Sequence, residues 1–491
     1  MNHWLILPIL FPAFVAATQT LLFRQIWLQR GLAAVFVPLT LIMMAWMFVR
    51  ARDLGIETYH PGHFLSPVGS VLVLDRLAIT VLLLTNVLGL FAIAAAMASG
   101  LDRRQPRFHP LAQFLLMGLN GSYLAGDLFT LFLFSQATMM AAAGLLLHAG
   151  ADGQKTAPGF LGVHLAALVL FIFAIGGLYG LTGTLTLADL AERASAIQGA
   201  ERALLSLASL LLLGAFALTA GLFPVQSWLR SSLTAAPAAI AVLILALPTA
   251  SLYAILRLFT QILPDTPMLP WLLAPALASV LAGLLGCLRA VSPSQLAIEV
   301  VLVGHGTMFA TVALFTEAGA AAALVWLVQA CLGGAALILL LGARQGQSSD
   351  PARPHSPVLF LPLLAGLALA GAPPFAGFLA QLMAIKAAWP ARPALLIVPV
   401  LLVAPMICAL TVLRQMLPQI LPRSGPSAPS PLPIAPTDQP RSILPIAVGG
   451  AALMLSLSLV PFAFPVLKFL RGTALHLYMK TEYINAVLGL P

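Results

Sequence analysis

Four ionisable side chains, Asp127, Glu299, His305 and Lys386, stand inside or at the ends of otherwise apolar runs. Where such runs cross a membrane a charge is expensive unless paired, so groups of this kind on neighbouring helices could pass protons or accompany a cation. Each also has a plainer use. Asp127 begins an apolar run in Gly126-Asp-Leu-Phe, where a carboxylate would cap the helix by accepting free N–H groups. Glu299 and His305 are six residues apart, turned by ~240°, and so share no helix face. Packing or interfacial water is the alternative for both, and Lys386 can snorkel to the surface. His148 and His164 read as satisfied polar residues near helix ends, and Arg257 as a headgroup anchor. Other chemistry lacks its residues: there is no P-loop, no Gly-x-Ser-x-Gly, no GxGxxG after a strand and no metal-ligand cluster. Cys287, Cys331 and Cys408 lie in apolar runs without CxxC spacing and read as packing residues. Neither a metal, a cofactor nor catalysis of a chemical transformation is expected.

The elements that must carry these groups follow from composition. Of 491 residues 60% are hydrophobic and 8% charged, and the mean hydropathy is +1.01; soluble domains carry roughly a quarter charged residues. Runs such as 204–222 and 269–288 reach the ~20 residues a helix needs to cross the hydrocarbon layer. The pattern predicts an all-α polytopic membrane protein with about 14 spans, near 4–23, 31–50, 71–98, 109–127, 129–149, 159–183, 203–226, 236–260, 269–291, 294–315, 319–342, 357–387, 393–417 and 442–465. The third and twelfth are long enough to be tilted or broken. Residues 421–441, rich in Pro and Ser, read as a flexible loop, and 467–480 as a short interfacial helix. Residues 1–20 have no basic region before their apolar stretch and read as the first span rather than a cleaved leader.

The net charge of +9 is scattered singly between spans, which speaks against a nucleic-acid surface and for topology signals. One set of alternate loops holds about 13 Lys and Arg residues against 8 in the other, which places the first set in the cytoplasm and both termini in the periplasm of a bacterial inner membrane. Pro224 interrupts the seventh span, and Pro373 and Pro374 the twelfth, roughly 150 residues on. Broken helices at matching places are the sequence sign of an inverted-repeat transporter with a midplane site, although proline also simply kinks membrane helices.

Around these prolines the chain becomes recognisable. Asn120-Gly-Ser-Tyr-Leu-Ala-Gly126-Asp127-Leu-Phe-Thr-Leu-Phe132, Gly183-Thr-Leu-Thr-Leu-Ala-Asp189-Leu190, Leu222-Phe-Pro-Val-Gln-Ser-Trp228-Leu229, Leu252-Tyr-Ala-Ile-Leu-Arg257 and Gly371-Ala-Pro-Pro-Phe-Ala-Gly-Phe378 resemble, in order, signature segments of the D-type subunits of Mrp-type monovalent cation/proton antiporters. Val71-Leu-Val-Leu-Asp75-Arg76-Leu77 and Phe108-His-Pro-Leu-Ala-Gln-Phe-Leu-Leu-Met-Gly118 look like the same family, which is related to the proton-pumping membrane subunits of respiratory complex I. The resemblance implies 14 helices, with helices 4–8 and 9–13 as inverted five-helix repeats and helices 7 and 12 broken. On the sequence this gives one membrane domain: N-terminal helices over 1–108, repeats over 109–260 and 269–417, a loop over 418–441, and a last helix with an interfacial segment over 442–491.

The family works through a row of titrating groups at mid-membrane depth, and this chain departs from that row. By the resemblance, the family's glutamate of helix 5 falls on Gln136, the lysines of helices 7 and 8 on Thr219 and Thr249, and the lysine of helix 12 on Gln381. The usual histidine of helix 11 is Gln329, with Gly333 where many relatives carry lysine, and a histidine before the tryptophan of helix 7 is Gln226. Each replacement has no proton to release near neutral pH. Three readings result: a member of an antiporter complex that is degenerate in its own proton path, with Asp127, Glu299, Lys386 and His305 as a substitute path; a scaffold subunit without transport; or a membrane-arm subunit of a complex I-like or hydrogenase-like oxidoreductase. All three expect other subunits of a membrane complex and membrane lipids as partners; the first adds monovalent cations and protons.

Overall fold

The computed structural model describes residues 3–61, 69–263, 268–345, 360–391, 394–420 and 443–489. Eleven helices among them are long and apolar enough to cross a membrane. The Leu444–Ser458 helix and its neighbour Ala463–Leu477, bent 76° apart, could together supply a twelfth span. The expected loop at 421–441 lies outside the described residues. Burial sorts the spans: 94% of the membrane-length window is buried in Ala238–Ile262 and in Pro293–Val312, against 28% in Ile26–Asp53 and 33% in Ala151–Thr182. The first two therefore form the centre, and the last two lie at the periphery.

Three segments differ from the sequence expectation. The third span does not begin at residue 71, because Leu72–Leu74 is a strand paired antiparallel with Glu57–Tyr59, Tyr59 opposite Leu72. The helix starts at Arg76, set by Asp75, whose carboxylate accepts from Ala78 N–H at 2.9 Å. The sixth span begins earlier than expected, at Ala151, and its 32 residues make a rod about 48 Å long. The segment between the sixth and seventh spans forms the Leu187–Ala196 helix, which buries Leu187, Leu190 and Ala191. Just before it, Leu187 N–H donates to Gly126 O and Leu128 N–H to Leu185 O, while Gly126 N–H reaches Val71 O. A Cβ on Gly126 would stand 2.7 Å from that Val71 oxygen, so glycine is what lets the three chain segments meet.

Inside the bundle, prolines free carbonyls and amides take them up. Pro12 cannot donate to Pro8 O one turn back, and Asn120 Nδ2 does so instead at 2.8 Å, with Asn86 Nδ2 donating to Asn120 Oδ1 at 2.7 Å. Asn120→Leu is expected to lower stability by about 1–3 kcal/mol, the usual cost of stranding a buried polar group. Adding Pro12→Ala restores the helix's own donor, so the double variant should melt above Asn120→Leu in detergent thermal scans; equal melting would refute the assignment.

At one end of the bundle Arg30 makes a fork on Asp102, with two bonds of 2.6 Å, and His109 Nε2–H donates to the same carboxylate at 3.0 Å. Burial alone would raise the Asp102 carboxyl, but the bonds from His109 and Arg30 outweigh it and hold it down at about 2. The carboxylate therefore ties three elements together across the physiological pH range.

Candidate functional site

Helical hydrogen bonding in the first half runs through Glu201–Thr219, stops, and resumes in Ser227–Ala235; Pro224 lies in the gap. The gap is pinned to the Leu269–Arg289 helix by Phe223 N–H donating to Ser279 Oγ at 2.7 Å and by Gln226 Nε2 donating to Ser279 O at 3.3 Å. Trp228 Nε1–H caps Leu218 O at 2.9 Å. Thr219, the last residue of the first fragment, lies 2.9 Å from Ser251 Oγ. Thr249 Oγ1 bonds Tyr123 OH at 2.5 Å, and that phenol also bonds Thr85 at 3.0 Å. Beside Thr219 a cavity of about 60 Å³ is lined by Ser122, Ser135, Thr138, His164, Ser251 and apolar residues. The His164 ring stacks on Phe160 at 4.0 Å and meets the edge of Trp228 at 4.6 Å, with Nδ1–H donating to Phe160 O at 2.9 Å. Gln136 lies outside this lining, half-buried, its Nε2 buried without a hydrogen-bond partner among the described residues.

The second half repeats the break: Phe360–Ala370 ends, Pro373 and Pro374 follow, and Ala376–Ala388 begins. Here the amides of two glutamines close the structure. Gln329 Nε2 donates at 3.1 Å to Ala368 O, a carbonyl left free by the end of its helix, while its Oε1 accepts from Ser456 at 3.3 Å. Gln381 Nε2 donates to Leu401 O, the carbonyl that Pro405, inside the Ala394–Met416 helix, cannot serve. A smaller cavity of about 10 Å³ lies beside it, lined by Thr307, Trp326, Gln381 and Cys408 among others. Gly333 stands next to Gln329, with only 3.1 Å between a Cβ placed there and the amide nitrogen.

Asp127 and Lys386 keep the plainer roles the sequence offered, a helix cap and an outward-facing side chain, whereas Glu299 and Arg257 do not. Glu299 is not held by interfacial water or lipid: it is 3% exposed, and both its oxygens are held by Arg230, Nε at 2.7 Å and Nη2 at 2.9 Å. Arg230, read as a loop topology signal, belongs to the Ser227–Ala235 helix after the break. Arg257 is not a headgroup anchor. Its side chain is 2% exposed and forks onto Asp75 at 2.7 and 2.8 Å, with a further bond of 2.8 Å to Gln261 Oε1. Asp127 caps the Leu128–Leu147 helix with both oxygens engaged by Thr130, one on its N–H and one on its hydroxyl, each at 2.7 Å. His305 is buried with Nδ1–H on Val301 O at 3.0 Å, and His148 ends the Leu128–Leu147 helix beside Arg107 at 3.3 Å. Lys386 is exposed, turned ~140° around its helix from the buried Gln381. Asp127, Glu299, His305 and Lys386 thus each bind locally or face outward, and no hydrogen bond or ion pair joins one to another.

A family model described as NADH:quinone oxidoreductase/Mrp antiporter, TM, matches residues 125–406. The chain belongs to this family. Among curated members it is 34% identical to the D-type subunit of a probable K(+)/H(+) antiporter of Rhizobium meliloti, over 70% of this chain and 66% of that one. It is 31% identical to the D-type subunit of the Na(+)/H(+) antiporter of Alkalihalophilus pseudofirmus, over 79% and 81%. A chain of the Mrp complex from Dietzia sp. DQ12-45-1b superposes over the whole length of both with a TM-score of 0.86 at 24% identity. A chain of the membrane-bound sulfane sulfur reductase, an archaeal respiratory membrane complex, gives 0.86 at 20% over 99% of each. At those identities the likeness shows the family's fold, a multi-pass membrane bundle found in multisubunit complexes. In this member of the NADH:quinone oxidoreductase/Mrp antiporter family, Arg230, Asp75 and Tyr123 are the site residues that sequence reading passed over. Their partners are 69, 182 and 126 residues away, and only the motif positions of Asp75 and Tyr123 gave a signal.

Proposed function

We propose that the chain is the D-type membrane subunit of a multisubunit monovalent cation/proton antiporter in a bacterial inner membrane, and that protons do not cross it by the family's row of titrating groups. The observation that carries the second half of this reading is the employment of Gln329 and Gln381. Both sit where the resemblance places titrating residues, and both amides cap carbonyls that helix end and proline leave free. Each amide is committed to a carbonyl and has no proton to release near neutral pH, so neither can pass a proton on. Thr219 and Thr249 likewise spend their hydroxyls on helix carbonyls and on Ser251 and Tyr123. Two inverted repeats, over 109–260 and 269–417, and about 14 crossings with both termini periplasmic complete the reading. Cysteine labelling should place positions 104 and 344 together on the cytoplasmic side, and opposite placement would break the span count.

The deciding experiment expresses the whole operon in an antiporter-deficient host and follows cation/proton exchange in inverted vesicles. Exchange should persist near the wild-type rate in Gln136→Ala and Lys386→Ala, because Gln136 has no proton to give and Lys386 faces outward. Loss of exchange in either, with the complex still assembled, would show that the proton path runs through this chain after all. An operon that assembles but exchanges nothing would favour the scaffold reading, which the carbonyl-capping glutamines also support.

A further inference from the structure

The larger cavity has a one-sided hydrogen-bonding character. Ser122, Ser135 and Thr138 each donate their hydroxyl proton back to their own helix, to Gly118 O at 2.9 Å, Leu131 O at 2.7 Å and Phe134 O at 2.9 Å. Thr219 donates to Ala215 O and Phe216 O, both at 3.2 Å. The Thr219 hydroxyl also lies 2.9 Å from Ser251 Oγ, and one of the two hydroxyls donates to the other. His164 uses Nδ1–H on Phe160 O, so in the neutral ring Nε2 is an acceptor too. Ser122, Ser135, Thr138 and His164 therefore turn lone pairs to the cavity, and among the described residues neither a carboxylate nor an ammonium or guanidinium lines it.

Such a wall repels anions, which need donors, and lacks the carboxylates with which proteins hold divalent ions. A monovalent cation fits it. Hydroxyl oxygens replace part of its water shell, and the Glu201–Thr219 helix brings its C-terminal, negative dipole end to the same place through Thr219. The volume of about 60 Å³ holds the ion with at most a few of its own waters. We propose that this cavity binds one monovalent cation, an alkali ion or ammonium, on the hydroxyl oxygens of Ser122, Ser135, Thr138 and Thr219. The inference rests on the antiporter reading for its purpose, but not for its chemistry.

The test is equilibrium binding of radioactive thallous and sodium ions to the full chain in lipid nanodiscs, with unlabelled sodium, potassium, ammonium and choline as competitors. One saturable site per chain is expected, displaced by at least one of the three small cations and not by choline; which of them competes best separates alkali ion from ammonium. Thr219→Val and Ser135→Ala, on different helices, should each weaken binding roughly tenfold, a loss of about one oxygen contact. Thr219→Ser should bind like wild type, and Thr219→Lys, which tethers an ammonium in the cavity, should abolish the site. Thermal melting of each variant shows that the fold survives. No saturable site in the wild type, or one that persists in Thr219→Lys and Thr219→Val, overturns the proposal. A chain that binds nothing while its complex exchanges cations leaves the proposed function standing without this site; a chain that binds while the complex exchanges nothing does the reverse.

Discussion

Arg257→Met is expected to destabilise the folded protein by about 3–5 kcal/mol, the cost of removing one partner of a buried ion pair. The guanidinium is 2% exposed, lies 5.4 and 5.0 Å from the ring centres of Tyr253 and Tyr483, and holds both oxygens of Asp75. Asp75 also starts the Arg76–Ser99 helix, so losing Arg257 leaves a carboxylate in the interior with only backbone N–H for company. The pair joins the hairpin strand, the central Ala238–Ile262 span and, through Tyr483, the C-terminal Lys480–Leu488 helix. Arg257→Lys keeps the charge but loses the fork and should fall between. The discriminating variant is Arg257→Met with Asp75→Ser, which retains a capping oxygen and removes the stranded charge. It should melt well above Arg257→Met alone in detergent, and a double variant no better than the single would show that packing around the guanidinium, not its charge, is what matters.

Gly286→Ala should do almost as much harm as deleting the Glu299 carboxylate. A Cβ on Gly286 would stand 2.2 Å from Glu299 Oε2, which real atoms do not tolerate, so the carboxylate must leave its seat and with it the Arg230 fork. Arg230 sits just past the break in the first half and Glu299 in the central Pro293–Val312 helix, so the pair clamps one half of the bundle to the other. Glu299→Ala leaves Arg230, a third exposed, free to reach water, and a cost of about 1–3 kcal/mol is expected. In the Glu299→Ala background Gly286→Ala should then cost little, because the atom it collides with is gone. Thermal melting of the four proteins measures this coupling, and additive losses would mean that Gly286 is needed for helix contact rather than for the carboxylate.

Much of the bundle was legible because its information is local. Apolar runs without charge mark spans, a carboxylate before a run marks a helix start, as at Asp127, and proline marks the gaps beside Pro224 and Pro373. The Leu72–Leu74 strand escaped because its residues are as apolar as those of the helix that follows, and its partner strand is too short to show a period of two. The Leu187–Ala196 helix escaped because hydropathy rewards length and uniform apolarity, whereas this helix is short and amphipathic.

By itself the sequence determined that the chain is a membrane bundle and where two helices break, since each of these depends on residue type at a position. The tertiary structure alone decided what the remaining polar groups do. Arg257 and Arg230 read as surface charges until the fold set them against Asp75 and Glu299, and Gln381 read as a mere loss until it was found on the carbonyl that Pro405 leaves free. The physical reason is the solvent: where no water is at hand, a polar side chain must find its partner elsewhere in the chain, and which partner that is depends on how distant helices pack.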